Sequence, residues 1–157
     1  MSLLKCFGYK RNSDGEDSVV DLDLTSSDLS EVPPFIASYE KTLQTLNLAS
    51  NHIQELPIVL FQCQNLNTLI LTDNELSFIP SVIGSLINLK ILDVSKNFIR
   101  EVDNSIKDCK RLLSLNLSSN PLSRLTDGIT QLIFLEELYL NAIKIDFLPA
   151  NIGRLTR

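Results

Sequence analysis

LNTLILTDNELSFIPSVIGSLIN, residues 66–88, is the stretch whose reading decides the fold. Apolar residues stand at Leu66, Leu69 and Leu71, and an asparagine follows at Asn74. Then come Leu76, the pair Ile79-Pro80, Ile83 and Leu86. The opening LxxLxL alternates as a half-buried strand does. The whole series begins again 23 residues later, at Leu89.

Counting outward from this stretch gives six units, starting at Val19, Leu43, Leu66, Leu89, Leu112 and Leu135. The first has 24 residues, with one extra near Tyr39-Glu40-Lys41, and the other five have 23. A fixed period of this size marks a repeat architecture, in which no unit buries its apolar face alone. The pattern predicts an α/β leucine-rich-repeat solenoid over residues 19–157, a curved horseshoe. Parallel strands would line its concave side, with short 3₁₀ or irregular returns on the convex side.

The ninth position of units two to five is Asn51, Asn74, Asn97 and Asn120. An inward amide at a bend supplies donors and an acceptor to backbone groups that would otherwise be buried unpaired, so these four are predicted to form a structural ladder. Ser27 takes this position in the first unit and supplies part of the bonding. Ile143 in the sixth supplies none, which predicts a local distortion or a water there.

Val32-Pro33, Leu56-Pro57, Ile79-Pro80 and Leu148-Pro149 open the returns, a place suited to a residue with fixed φ and no N–H. Units four and five depart, with Val102-Asp103 and Leu125-Thr126. Ile36, Leu60, Ile83, Ile106, Ile129 and Ile152 are then expected beneath the convex side.

Residues 1–18 fall outside the period. Leu3, Leu4, Cys6, Phe7 and Tyr9 suit a cap over the open end of the first repeat. A second reading makes Cys6 an S-acylation site, with Lys5, Lys10 and Arg11 as a further membrane signal. At the other end the chain stops at Arg157 without a capping sequence, which predicts an array truncated from a longer one.

Composition narrows the function class. The net charge of −5 argues against nucleic acid as partner. Three cysteines at irregular spacing, and no apolar run long enough for export or a membrane span, point to a cytoplasmic chain. Cys63 and Cys109 occupy equivalent positions two repeats apart, too distant for a disulfide, and read as small core hydrophobes.

The single histidine, His52, follows the ladder residue Asn51 and has no partners for a metal site or a catalytic triad. No phosphate-binding loop is present either. The reading is therefore non-enzymatic, with no cofactor, no metal and no small-molecule substrate.

What remains is a surface. The outward strand positions are Asp21, Asp23 and Thr25; Thr45, Asn47 and Ala49; Thr68, Ile70 and Thr72. The later units add Ile91, Asp93 and Ser95; Ser114, Asn116 and Ser118; Glu137, Tyr139 and Asn141. This predicts a protein-binding groove of small polar groups, acidic toward its ends, with Ile70, Ile91 and Tyr139 as exposed exceptions. Tyr139 is the leading anchor candidate, followed by Phe98 at the tip after Asn97.

Beyond the repeat class, LDVSKNFI (92–99), LFQCQNL (60–66) and LEELYLNAIKIDFLPANIGRLT (135–156) closely resemble the LAP family, the leucine-rich-repeat and PDZ proteins of the Erbin, Densin and Scribble kind. The loss of the ladder asparagine after LYLN is also similar to that family. The resemblance implies a scaffold at the cytoplasmic face of the plasma membrane, at basolateral or junctional cortex. Its implied roles are apical–basal cell polarity, receptor clustering and signal transduction. It also implies membrane targeting by the repeats, with S-acylated cysteines near the N-terminus, one of which Cys6 matches. Two other readings use the same groove: a Ras/MAPK-pathway scaffold built only of repeats, or the recognition arm of a larger signalling enzyme.

Overall fold

The computed structural model describes residues 7–11 and 17–155. Seven strands form one sheet in chain order: β1 (Phe7–Arg11), β2 (Asp17–Asp23), β3 (Thr45–Asn47), β4 (Thr68–Ile70), β5 (Ile91–Asp93), β6 (Ser114–Asn116) and β7 (Glu137–Tyr139). β2 to β7 are parallel neighbours, while β1 runs antiparallel along the free edge of β2 with a bulge between Gly8 and Tyr9.

Pairing register reproduces the sequence period. Thr45 stands beside Thr68, Thr68 beside Ile91, Ile91 beside Ser114 and Ser114 beside Glu137. Each step is one 23-residue repeat, so equivalent residues stack in rows across the sheet. Asp21 pairs with Thr45, one residue further along the chain. The extra residue is absorbed in the return, where the 3₁₀ helix Pro34–Tyr39 has six residues and the next four returns have five.

Every return is a 3₁₀ turn set by the same bond. The amides of Ile36, Leu60, Ile83, Ile106, Ile129 and Ile152 donate to the carbonyls of Pro33, Pro57, Pro80, Asp103, Thr126 and Pro149. Only the carbonyl of that position is used, so proline costs nothing there. Where proline is missing, the substitutes cap the turn instead. Asp103 accepts from the Ser105 amide at 2.8 Å, and Thr126 Oγ1 from the Gly128 amide at 3.4 Å. The Ser105 bond also holds the Asp103 carboxyl below its ordinary range.

One continuous core runs through all six units, from Val19 to Leu135, with both Cys63 and Cys109 inside it. The return isoleucines and leucine are buried down to Ile129, and Ile152 is half-buried. The sixth unit is more open: Leu138, Leu140, Ile143 and Ile145 pack against the core from one side, and Phe147 is 84% exposed.

The four ladder asparagines are buried and bonded alike. Asn97 Oδ1 accepts the Leu76 amide at 2.9 Å, and its Nδ2 donates to Leu71 O, Val94 O and Ser95 O at 2.9–3.0 Å. Each side chain thus ties its own bend to the strand end and bend of the preceding repeat. Asn51 repeats this with Ser27, Leu29, Leu24, Leu48 and Ala49, Asn74 with Ile53, Leu48, Leu71 and Thr72, and Asn120 with Ile99, Val94, Leu117 and Ser118.

In the first unit Ser27 Oγ donates to Thr25 O at 3.4 Å, the bond to the carbonyl two residues back that the asparagines also make. The distortion expected at Ile143 does not occur in the preceding residue. Ala142 has φ 54°, matching Ser26, Ser50, Asp73, Lys96 and Ser119 in the other units. The left-handed bend is therefore kept in the unit that lacks the amide.

Asn97→Leu would leave the Leu76 amide buried without an acceptor and remove the amide that serves three carbonyls. We expect a stability loss of about 3 kcal/mol, read as a lower denaturation midpoint in urea. An unchanged midpoint would contradict the ladder as the tie between repeats.

Candidate functional site

Strand geometry sends residues 46, 69, 92 and 115 into the core and their neighbours outward. The concave face is therefore built of rows of equivalent side chains. The first row is Asp21, Thr45, Thr68, Ile91, Ser114 and Glu137, and the second is Asp23, Asn47, Ile70, Asp93, Asn116 and Tyr139. Asp21, Asp23, Ile91, Glu137 and Tyr139 are exposed. Thr45, Asn47, Thr68, Ile70, Asp93, Ser114 and Asn116 are half-buried by their neighbours. Ile70, expected to be exposed, is thus partly covered.

The second row does local structural work that its composition did not announce. Asp23, Asn47, Asp93 and Asn116 each accept, through Oδ1, the amide two residues on, at Thr25, Ala49, Ser95 and Ser118. These bonds hold the chain as it leaves each strand. Asn116 Nδ2 also donates to Asp93 Oδ2 at 3.0 Å, and Ser95 Oγ donates to Asp93 Oδ1 at 2.7 Å. Ser95 and Ser118, expected outward, are instead buried at 6% and 9% exposure. Their hydroxyls lie among neighbouring polar groups, with Ser118 Oγ accepting the Asn141 amide at 3.1 Å. A short polar side chain is drawn down by such partners where an apolar one is not.

At the bend edge, His52 lies exposed between two repeats. Its Nδ1 is 3.0 Å from Glu75 Oε1 and its Nε2 is 3.5 Å from Asp28 Oδ1. His52 and the Gln54 amide hold the Glu75 carboxyl below its usual range. Phe98 is exposed on the same edge. On the return side, a groove of about 1090 Å³ is lined by Phe78, Glu101, Asp103, Arg124 and Asp127 among others. Among the described residues, no cluster of three His, Cys, Asp or Glu side chains is placed to hold a metal ion. Cys6 lies outside the described residues.

The model of the leucine-rich repeat family matches residues 41–97 and 64–122, together more than half of the chain. The chain belongs to the leucine-rich-repeat proteins. Among individual relatives, Leucine-rich repeat-containing protein 7 of Homo sapiens is 47% identical over 75 residues, covering 47% of this chain and 5% of that protein. Erbin of Mus musculus is 50% identical over 54 residues, covering 34% and 4%. The chain thus spans a small part of the length of these relatives.

Among solved structures, this leucine-rich-repeat chain superposes on the plant peptide hormone receptor RGFR1 in complex with RGF2, with a TM-score of 0.81 and 29% identity over 96% of this chain and 28% of that one. The ectodomain of the Arabidopsis receptor kinase HAESA, in complex with an IDA peptide hormone, gives a TM-score of 0.81 and 29% identity over 95% and 26%. The fold is that of a leucine-rich-repeat solenoid, a protein-binding module.

The buried thiols are inert by position. Burial, with the Asp108 carboxylate adding, pushes the Cys109 thiol from an ordinary 9.0 up to about 12, and Sγ donates to Ile83 O at 3.3 Å. Burial, with Glu40, raises Cys63 as well. In the folded state neither thiol should react with a thiol-exchange reagent at neutral pH, and both should react in denaturant, as counted by absorbance. Because the folded Cys109 thiol ionises later than the unfolded one, its contribution to stability is intact below pH 9.0 and is lost as pH rises toward 12. Rapid labelling of Cys109 in the native state would show that the core opens locally.

Proposed function

We propose that the concave face is the partner-binding surface of a non-enzymatic scaffold acting at the cytoplasmic side of the plasma membrane. The observation that carries this reading is the face itself. A regular sheet presents small, mostly half-buried polar groups, and among them Ile91 and Tyr139 remain 41% and 42% exposed. An aromatic ring with a polar tip is well suited to anchor a protein partner.

The two structural relatives in complex with peptide hormones support a fold that accepts polypeptide. The local identity to Leucine-rich repeat-containing protein 7 and Erbin supports the LAP resemblance read in residues 92–99 and 135–156. On that reading the protein organises receptors and polarity factors at basolateral or junctional cortex. The repeats select the partner, and an acylated Cys6 adds membrane affinity.

In polarised epithelial cells, the tagged protein should concentrate at the lateral cortex. Combining Ile91→Ser with Tyr139→Ala should lower the cortical fraction severalfold while leaving the melting temperature unchanged, as expected for loss of an exposed anchor worth ~2 kcal/mol or more in binding. Equal cortical intensity of variant and parent would remove the concave face from the targeting function. Cys6→Ser should shift protein from membrane to cytosol in the same assay, again without changing its melting. A variant that stays at the membrane would mean that acylation does not hold it there.

A further inference from the structure

The outward positions of the six parallel strands carry carboxylates and no cation. Of the outward residues on these strands, Asp21, Asp23, Asp93 and Glu137 are acidic, and none is Lys, Arg or His, although the chain has 14 Lys and Arg. Asp93 is committed internally to Ser95 and Asn116, and Asp23 Oδ1 to Thr25. Asp21 and Glu137 are different. Both are exposed, they stand on the outermost parallel strands, and among the described residues no hydrogen bond or ion pair engages either side chain.

The middle of the face has the opposite character. Ile91 lies between Thr68 and Ser114, and Ile70 lies between Asn47 and Asp93 on the adjacent row. Ile70 also interrupts the row whose Asp and Asn residues accept the amide two positions on. Among the described residues, the Thr72 amide has no hydrogen-bond acceptor, whereas Thr25, Ala49, Ser95 and Ser118 each have one. The centre therefore offers apolar surface and a main-chain donor together. Near the far end, Tyr139 adds an aromatic face one residue row from Glu137.

We infer that the partner is an extended, basic polypeptide segment laid across the strands. One cationic side chain meets Asp21, an apolar side chain covers Ile70 and Ile91 while a nearby carbonyl accepts from Thr72, and a second cation meets Glu137 and the ring of Tyr139. Five strand spacings of ~4.8 Å separate β2 from β7, about 24 Å, which an extended chain crosses in about seven residues. An acidic segment would place its charges against four carboxylates. This inference rests on the concave-face reading above and adds the chemistry of the partner to it.

The test uses three fluorescein-labelled nine-residue peptides on the whole chain, read by polarisation at 50 and 300 mM NaCl. The first has Arg-Arg at one end, Leu-Leu in the centre and Lys at the other end. The second replaces the cations by Glu, and the third by Ser. The first should bind at least about tenfold tighter than the others and weaken severalfold at the higher salt. Asp21→Asn with Glu137→Gln should lower its affinity about tenfold, whereas Glu101→Gln in the return-side groove should leave it unchanged.

If the Glu or Ser peptide binds as well as the basic one, and Ile91→Ser weakens it, the charge assignment is overturned while the concave face stands as the binding surface. If the basic peptide binds but responds only to Glu101→Gln, both the inference and the concave-face reading fall. Binding of none of the three overturns the inference.

Discussion

The buried asparagine amide at each bend is the interaction on which the solenoid depends. A repeat of this length makes one short strand and one 3₁₀ turn, far too little to bury an apolar face by itself. Its bend also leaves backbone groups pointing inward, where water does not reach. Asn51, Asn74, Asn97 and Asn120 answer those groups in their own repeat and in the preceding one. The same side chain therefore closes a turn and joins two units, and hydrophobic stacking proceeds within the spacing those bonds set.

That spacing controls the functional face. Parallel strands consume the backbone groups at their shared edges, so what the sheet offers outward is almost entirely side chain. Because equivalent residues stack in rows, one choice of residue type is read alongside its neighbours in the adjacent repeats. Asp93 and Asn116 bond each other across such a row, whereas Asp21 and Glu137, at the two ends of the adjacent row, remain open to solvent. A slip of one residue would turn this face into the core, and the leucines at 46, 69, 92 and 115 prevent it.

Much of this was legible in the residues. Period, strand positions, the ladder asparagines and the isoleucines of the returns all follow from a hydrophobic pattern that repeats without a break. Other features had no such signal. Ser26, Ser50, Asp73, Lys96, Ser119 and Ala142 share a left-handed backbone although none is glycine, so sequence type gave no warning. Asp103 and Thr126 looked like losses of proline and turned out to cap their turns. Ser95 and Ser118 occupy outward positions yet sink among polar neighbours from other repeats. Likewise, His52 meets Asp28 and Glu75 only because repeats stack.

By itself, then, the sequence determined the solenoid, its register and the identity of the side chains on each face, because periodic burial depends only on which residues recur at which interval. Which outward groups remain free was decided by the tertiary structure. Bonds such as Asp93 to Asn116 and Ser118 to Asn141 join residues 23 apart in the chain. Their partners are fixed only after the repeats have stacked. The accessible chemistry of the concave face, with Asp21, Ile91, Glu137 and Tyr139 open and Asp93 bound, is a property of that stack.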